Sequence, residues 1–361
     1  MKMPKQKSER GFTLMELTVA IVVGLIVMGA MTSLFKTGMD SAMLITQRAE
    51  TQQNMRAAID LMVKDISMAG AGLPSGGIQL PAGSGSSASL FACDQSGTCH
   101  VPANTYPTNN YMYGIIPGYT NGVEGNAVVP AAPPPAINDS ITSIYADYNF
   151  PLFEYDVTFP VPGNGTAITL APNAAYVPAP PLLQSAGGIQ VGDLIMLSNS
   201  LGTAVGEVTG VTATEIDFAN ADPLNINQNG AATNNIASIS TGANTVAYRL
   251  FAVTYYLTVP PPNGETPRLM RQVNGLSPVP VADNIINLQF SYDIYNSGNG
   301  NSALDANQPN PLGVGDSLNL MQKINIVIMG QSILNRGNKS QNLYLATSVS
   351  ARNMAFRNRY Q

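Results

Sequence analysis

Glu16 asks most directly for a chemical explanation. It is the only ionisable side chain between Phe12 and Phe35. A carboxylate inside a membrane-spanning stretch costs about 2.5–3.5 kcal/mol on insertion scales, so such a residue marks function and has a partner. That partner can be made at a junction four residues upstream. Cleavage between Gly11 and Phe12 frees an α-amine on Phe12, and an amine and a carboxylate neutralise each other. Within one turn of one helix the pair is poorly satisfied, whereas a neighbouring copy can bring its Phe12 amine to this Glu16. The charge then sets the register of stacked helices, as polar residues buried in coiled coils do at some cost in stability.

The other candidate residues are sparse. Cys93 and Cys99 stand in "CDQSGTCH", followed by His100, the sole histidine. In an exported domain the oxidising compartment favours a Cys93–Cys99 disulfide. The spacing does not suit a c-type haem, and a zinc site lacks a fourth ligand nearby. Asp293 and Asp305 flank an asparagine-rich stretch that could offer oxygens to calcium, but the spacing is not that of an EF-hand loop and the terminal glutamate is missing, so a solvated hairpin loop is the expectation. His100 beside a cysteine pair leaves no base for a nucleophile, and no glycine-rich phosphate cradle followed by lysine occurs. The chain is expected to be no enzyme and to use no metal or cofactor. With 11% charged residues and a net charge of −5, it also lacks the clustered cations of a nucleic-acid surface.

The elements that position Glu16 follow from the pattern around it. Residues 1–11 carry Lys2, Lys5, Lys7 and Arg10 against Glu9, a basic leader that stays on the cytoplasmic side. From Phe12 to Phe35 the chain is apolar and, at ~1.5 Å per residue, long enough to cross a bilayer as a helix. The polar-to-apolar junction precedes this run, whereas a secretory peptide would place its cleavage site after it. Beyond it, Met55, Ile59, Met62, Ile66 and Ala69 form one helical stripe, and Arg56, Asp60 and Lys64 read as a solvated face. Gly70, Gly72 and Pro74 supply stop signals, which predicts one helix from about Phe12 to Ala69.

Residues 74–190 hold "PSGGIQLPAGSGSSAS", "VPAAPPPAIN" and "YVPAPPLLQSAGG" and read as loops and extended surface insertions. Strand patterns follow in "DLIMLS", "AVGEVTGV", "TEIDFA", "VAYRLFAVTYYLTV", "RLMRQV", "KINIVIMGQ" and "LYLATSVSARN". In "INLQFSY", alternation places Ile286, Leu288, Phe290 and Tyr292 on one face. The expectation is an α+β fold: a long N-terminal α-helix, transmembrane in its first half, packed on an antiparallel β-sheet head with long loops. Its divisions are a leader at 1–11, a membrane helix at 12–35, an amphipathic helix at 36–72 and a β-rich domain at 73–361.

"GFTLMELTVAIVVGLIVMG" resembles the class III signal of type IV pilins and type II secretion pseudopilins. The resemblance implies cleavage by a prepilin peptidase between Gly11 and Phe12, N-methylation of Phe12, and Glu16 as the assembly residue. Many members have a proline in the anchor, and this chain has none there. "LMVKDISMAGAG", "YRLFAVTYYL", "RLMRQVNG", "ADNIINLQFSYDIY" and "LATSVSARN" are similar to the order seen in PilW-type minor pilins. That implies a minor pilin initiating pilus assembly near the tip, with other minor pilins, major pilin, the inner-membrane assembly platform and a tip adhesin as partners. It further implies an inner-membrane location with the N-terminus inside and the head in the periplasm, then on the cell surface. A minor pseudopilin of a type II secretion system and a pilus-borne adhesin module stay open as alternatives.

Overall fold

The computed structural model describes residues 11–82, 111–118, 138–257, 267–296, 303–308, 318–331 and 341–355, apart from Ala179, Leu182, Ala186, Pro223 and Gly275. The helix α1 runs Leu14–Ser67, two residues inside each end of the range its sequence predicts. Its residues up to Glu50 belong to one compact unit and those from Thr51 onward to a second. In the first unit the helix is exposed at nearly every position, including Leu14, Met15, Leu25, Ile26 and Leu34. It is long and apolar enough to cross a membrane, with a mean hydropathy of 2.3 over its most apolar window.

The second unit adds strands β1 (Ile78–Gln79), β2 (Tyr111–Met112), β3 (Ile115–Gly118), β4 (Ser140–Asp147), β5 (Tyr155–Thr158), β6 (Ala167–Pro172), β7 (Leu194–Asn199), β8 (Gly202–Glu207), β9 (Gly210–Val211) and β10 (Glu215–Asp217). It continues with β11 (Val246–Leu257), β12 (Arg268–Val273), β13 (Val279–Asp283), β14 (Ile285–Asn296), β15 (Ala303–Gln308), β16 (Met321–Gln331) and β17 (Asn342–Ser350). The short helices α2 (Ile236–Ile239) and α3 (Arg352–Ala355) lie between β10 and β11 and after β17. One antiparallel sheet was the sequence expectation; the described strands form four sheets. The largest has the order β13-β12-β11-β4-β3, with β7 and β8 attached to β11, and a second has the order β15-β14-β16-β17.

β11 is the hub. One edge pairs with β4 from Arg249 to Tyr255, while the other pairs with β7 at Val246–Leu250 and with β12 at Val253–Leu257. Where the second edge changes partner, Asn274 fills the gap: its Oδ1 accepts from the Ala252 N–H at 2.7 Å and its Nδ2 donates to the Leu250 carbonyl at 3.0 Å. Asn274 sits at φ +51, a left-handed conformation that asparagine tolerates better than most residues. The alternation of β11 puts Val253, Tyr255 and Leu257 in one core and Leu250 and Ala252 in another. Both faces are covered, which is why the strand reads as a continuous apolar run.

The α1 stripe enters the first of these cores, and Met55, Ile59, Met62, Ile66 and Ala69 are all buried, joined by Ala58. They meet Val253 and Tyr255 of the large sheet and Leu288, Phe290, Ile324 and Ile326 of the β14–β16 sheet. Arg56, Asp60 and Lys64 are exposed, as a solvated face requires. Close approach of helix and sheet depends on Gly330, where an added Cβ would lie 2.7 Å from Met55 Sδ and 2.9 Å from Thr51 Cγ2. Gly330→Val is expected to cost about 1–3 kcal/mol through overpacking, read as a lower midpoint in thermal unfolding.

Two sequence expectations are corrected. The 74–190 stretch is not all loop and surface insertion: β4 lies inside the large sheet between β11 and β3, buried along its whole length. Its sequence, "SITSIYAD", mixes Ser and Thr with Ile; Thr142 Oγ1 meets Thr254 Oγ1 at 2.7 Å, while the buried Ser140 and Ser143 hydroxyls have no hydrogen-bond partner among the described residues. In β14 the buried face is Ile285, Leu288, Phe290 and Tyr292, with Ile286 only partly buried. A bulge between Ile285 and Asn287, opposite Met329 and Gly330, inserts one residue and turns Ile286 off the core face.

Candidate processing and assembly site

α1 starts on a reciprocal cap. Thr13 precedes the first helical residue, and its N–H donates to Glu16 Oε2 at 3.0 Å while its hydroxyl donates to the same oxygen at 2.9 Å. The Glu16 N–H closes the cycle by donating to Thr13 Oγ1 at 3.3 Å. This is the capping-box arrangement, in which a threonine before the helix and a glutamate three residues later satisfy backbone donors that have no intrahelical partner. The Leu17 N–H then reaches the Thr13 carbonyl, the first bond of the helix. The motif was legible as T-x-x-E immediately before the apolar run, and sequence reasoning directed only at the charge of Glu16 missed it.

Glu16 thus stands in the first turn, where the helix dipole favours an anion. Both side-chain bonds fall on Oε2; among the described residues, Oε1 accepts none. An ionised carboxylate offers about four acceptor sites, so the cap leaves room for an incoming ammonium group. Gly11 and Phe12 lie outside the helix, and Phe12 is 89% exposed. Cleavage of the bond between them leaves the Thr13–Glu16 box intact, because both residues lie downstream. It also places a positive amine at the electropositive end of a helix, where an adjacent carboxylate is the natural counterion.

The remaining sequence candidates are placed as follows. Cys93, Cys99 and His100 fall outside the described residues. Asp293 is buried, and its carboxylate takes a hydrogen bond from Asn325 Nδ2 at 3.1 Å and stands 3.6 Å from Lys323 Nζ, its cross-strand neighbour. The Asp305 backbone pairs with Ile294 in the β14–β15 pairing.

Sequence reasoning also missed Asp65, which fixes the helix to the large sheet within the second unit. Asp65 is 3% exposed; its Oδ2 accepts from the Tyr255 hydroxyl at 2.5 Å and from Arg271 Nε at 2.8 Å, and its Oδ1 from the Tyr145 hydroxyl at 3.1 Å. Burial, reinforced by Asp65, pushes both tyrosine hydroxyls far above the ordinary phenol value, so they remain donors. Burial pulls Arg271 down, but its hydrogen bond to Asp65 outweighs this and holds the guanidinium above its ordinary value. A signal existed: Ala58, Met62, Asp65 and Ala69 are spaced four, three and four apart, so Asp65 occupies a position of the apolar stripe.

A buried arginine, Arg249 on β11, donates through Nε and Nη2 to Asp147 at 2.8 and 2.5 Å and through Nη1 to the Gly187 and Gly188 carbonyls. Its guanidinium lies 5.5 Å from the Phe150 ring and 5.1 Å from the Phe251 ring. These contacts tie β11 to β4 and to the segment before β7.

Residues 6–32 match the prokaryotic N-terminal methylation motif, a type IV prepilin-like signal, and the match supports a type IV pilin-like or pseudopilin protein. No curated protein and no solved structure matches the chain. The signal together with the apolar helix fits anchoring in a membrane.

Proposed function

We propose that this chain is a PilW-type minor pilin that acts in the initiation and assembly of a type IV pilus, at or near its tip. A prepilin peptidase removes residues 1–11 and methylates the Phe12 amine, leaving the helix in the inner membrane with its N-terminus inside and the β-rich unit in the periplasm. The chain acts through assembly with other minor pilins, major pilin and the inner-membrane platform, and catalyses no reaction. The observation that carries this reading is Glu16, held by Thr13 at the start of an exposed apolar helix, with one carboxylate oxygen left for a neighbour's amine. The size of the second unit adds to it, because a head drawn from about 300 residues would crowd a repeating filament more than a terminal position.

Deletion of the gene, with filaments counted by electron microscopy, tests the assignment. Loss of pili that returns with the wild-type chain is the expected result. Normal pili with lost protein secretion would assign a pseudopilin, and normal pili with lost attachment an adhesin module.

A further inference from the structure

The segment after β10 is held on β8 through two buried acids. Glu207, the last residue of β8, is fully buried, and Asp222 is 5% exposed. Glu207 Oε2 accepts from the Leu224 N–H at 2.8 Å, while Asp222 accepts from the Ile226 and Asn227 N–H groups at 2.7 and 2.9 Å. Asn227 completes the closure: its Oδ1 accepts from the Glu207 N–H and its Nδ2 donates to the Glu207 carbonyl. The surroundings are apolar, with Val205, Leu224, Ile226, Ile78 and Leu80 in one core.

The Asp222 carboxyl is the acidic neighbour of the Glu207 carboxyl, and among the described residues Glu207 Oε1 takes no bond from any N–H or O–H group. Two carboxylates in contact cannot both ionise, and an oxygen pair of this kind is satisfied when one of the two acids keeps its proton. We propose that Glu207 and Asp222 share a single proton, and that this proton is the clasp closing the segment that carries Asp222 and Leu224–Asn229 onto β8.

The groups facing the pair leave the proton as its counter-charge. On β7, Leu194 is the residue paired with Glu207; Asp193 beside it directs its carboxylate to the Gln190 N–H, Asn274 and Arg249. β1 and α2, which also pack on β8, bring Ile78 and Gln79 and the residues Ile236–Ile239, none of them charged. Burial pushes the Glu207 carboxyl up, with the hydrogen bond to Asp222 adding to the shift and the Leu224 amide opposing it, to about 9. The folded-state value lies above the unfolded one. The clasp therefore contributes fully below the ordinary carboxylate value and is lost as pH rises through about 9.

The test is hydrogen exchange by mass spectrometry on the full mature chain in detergent, corrected for the intrinsic pH dependence of exchange. Peptides covering residues 219–229 are compared with peptides from β14 and β16, alongside infrared spectra of the same samples. Expected are a protonated-carboxyl band at neutral pH that disappears reversibly above about pH 9, and a fall in protection of residues 219–229 of up to about tenfold per pH unit between the ordinary carboxylate value and that transition, levelling off above it. Glu207→Gln, which puts a permanent amide donor in the proton's place, is expected to lack the band and keep the segment protected on both sides of the transition. If Glu207→Gln does not fold, the wild-type infrared titration decides alone. Absence of the band at neutral pH, or the same alkaline loss of protection in wild type and Glu207→Gln, overturns the proposal. So does calcium chloride at neutral pH displacing the band while increasing protection, which would make the pair a cation site.

Discussion

Asp65→Ala is expected to destabilise the helix–sheet unit by about 3–5 kcal/mol, the usual cost of removing one partner of a buried ion pair. Three donors lose their acceptor together: the Tyr145 and Tyr255 hydroxyls and Arg271 Nε. Arg271 keeps some access to water, with its side chain 27% exposed, but the tyrosine hydroxyls are held in a core that offers little replacement. Since a domain's net stability is only about 5–15 kcal/mol, the loss is a large share of the whole. Chemical or thermal unfolding of the mature chain in detergent gives the measurement. Asp60→Ala on the exposed face of the same helix is the control, expected to change stability by less than about 0.5 kcal/mol. Equal midpoints for the two variants would mean that the polar cluster does not fasten α1.

Glu16→Val is expected to give a chain that is processed and inserted but joins filaments at least about tenfold less well. Tenfold corresponds to about 1.4 kcal/mol, well under the cost of leaving a buried amine without its carboxylate. Glu16 has two roles, the cap on its own helix and the charge offered to a neighbour, and Glu16→Gln separates them. Glutamine can fill the same place in a capping box but carries no charge. If the charge is what assembly needs, Glu16→Gln fails as Glu16→Val does, while Thr13→Ala loses about 1 kcal/mol of helix capping and still assembles. Filament fractions sheared from cells and probed for this subunit would report all three. Full recovery in Glu16→Gln would reduce Glu16 to a helix cap.

What the sequence made legible was what repeats locally. α1 was read to within two residues because apolar residues recur at helical spacing up to glycines that adopt positive φ, Gly70 at +79 and Gly72 at +72. β7, β11, β12, β16 and β17 stood out as apolar runs or alternations. β4 did not, since its "SITSIYAD" pattern carries polar residues whose burial is settled by partners far along the chain, and its upstream neighbour is a proline-rich stretch. The bulge in β14 was equally hidden, because it depends on the pairing with β16 and not on either strand alone. At the candidate site, the types and spacing of Gly11, Phe12 and Glu16 were readable. The reciprocal bonding of Thr13 and Glu16 was readable too, once Glu16 was considered as a partner of its own helix as well as a charge. Asp65 is the instructive case: its place on the stripe could be counted, but Tyr145, Tyr255 and Arg271 come from three strands far downstream.

Everything about assembly depends on a new chain terminus at Phe12. Intact-mass and N-terminal peptide mass spectrometry of the protein from cells that process comparable precursors tests this most directly. The expected species begins with N-methylated Phe12 and lacks residues 1–11. A mature chain that still begins at Met1, or one cut anywhere other than after Gly11, would contradict it.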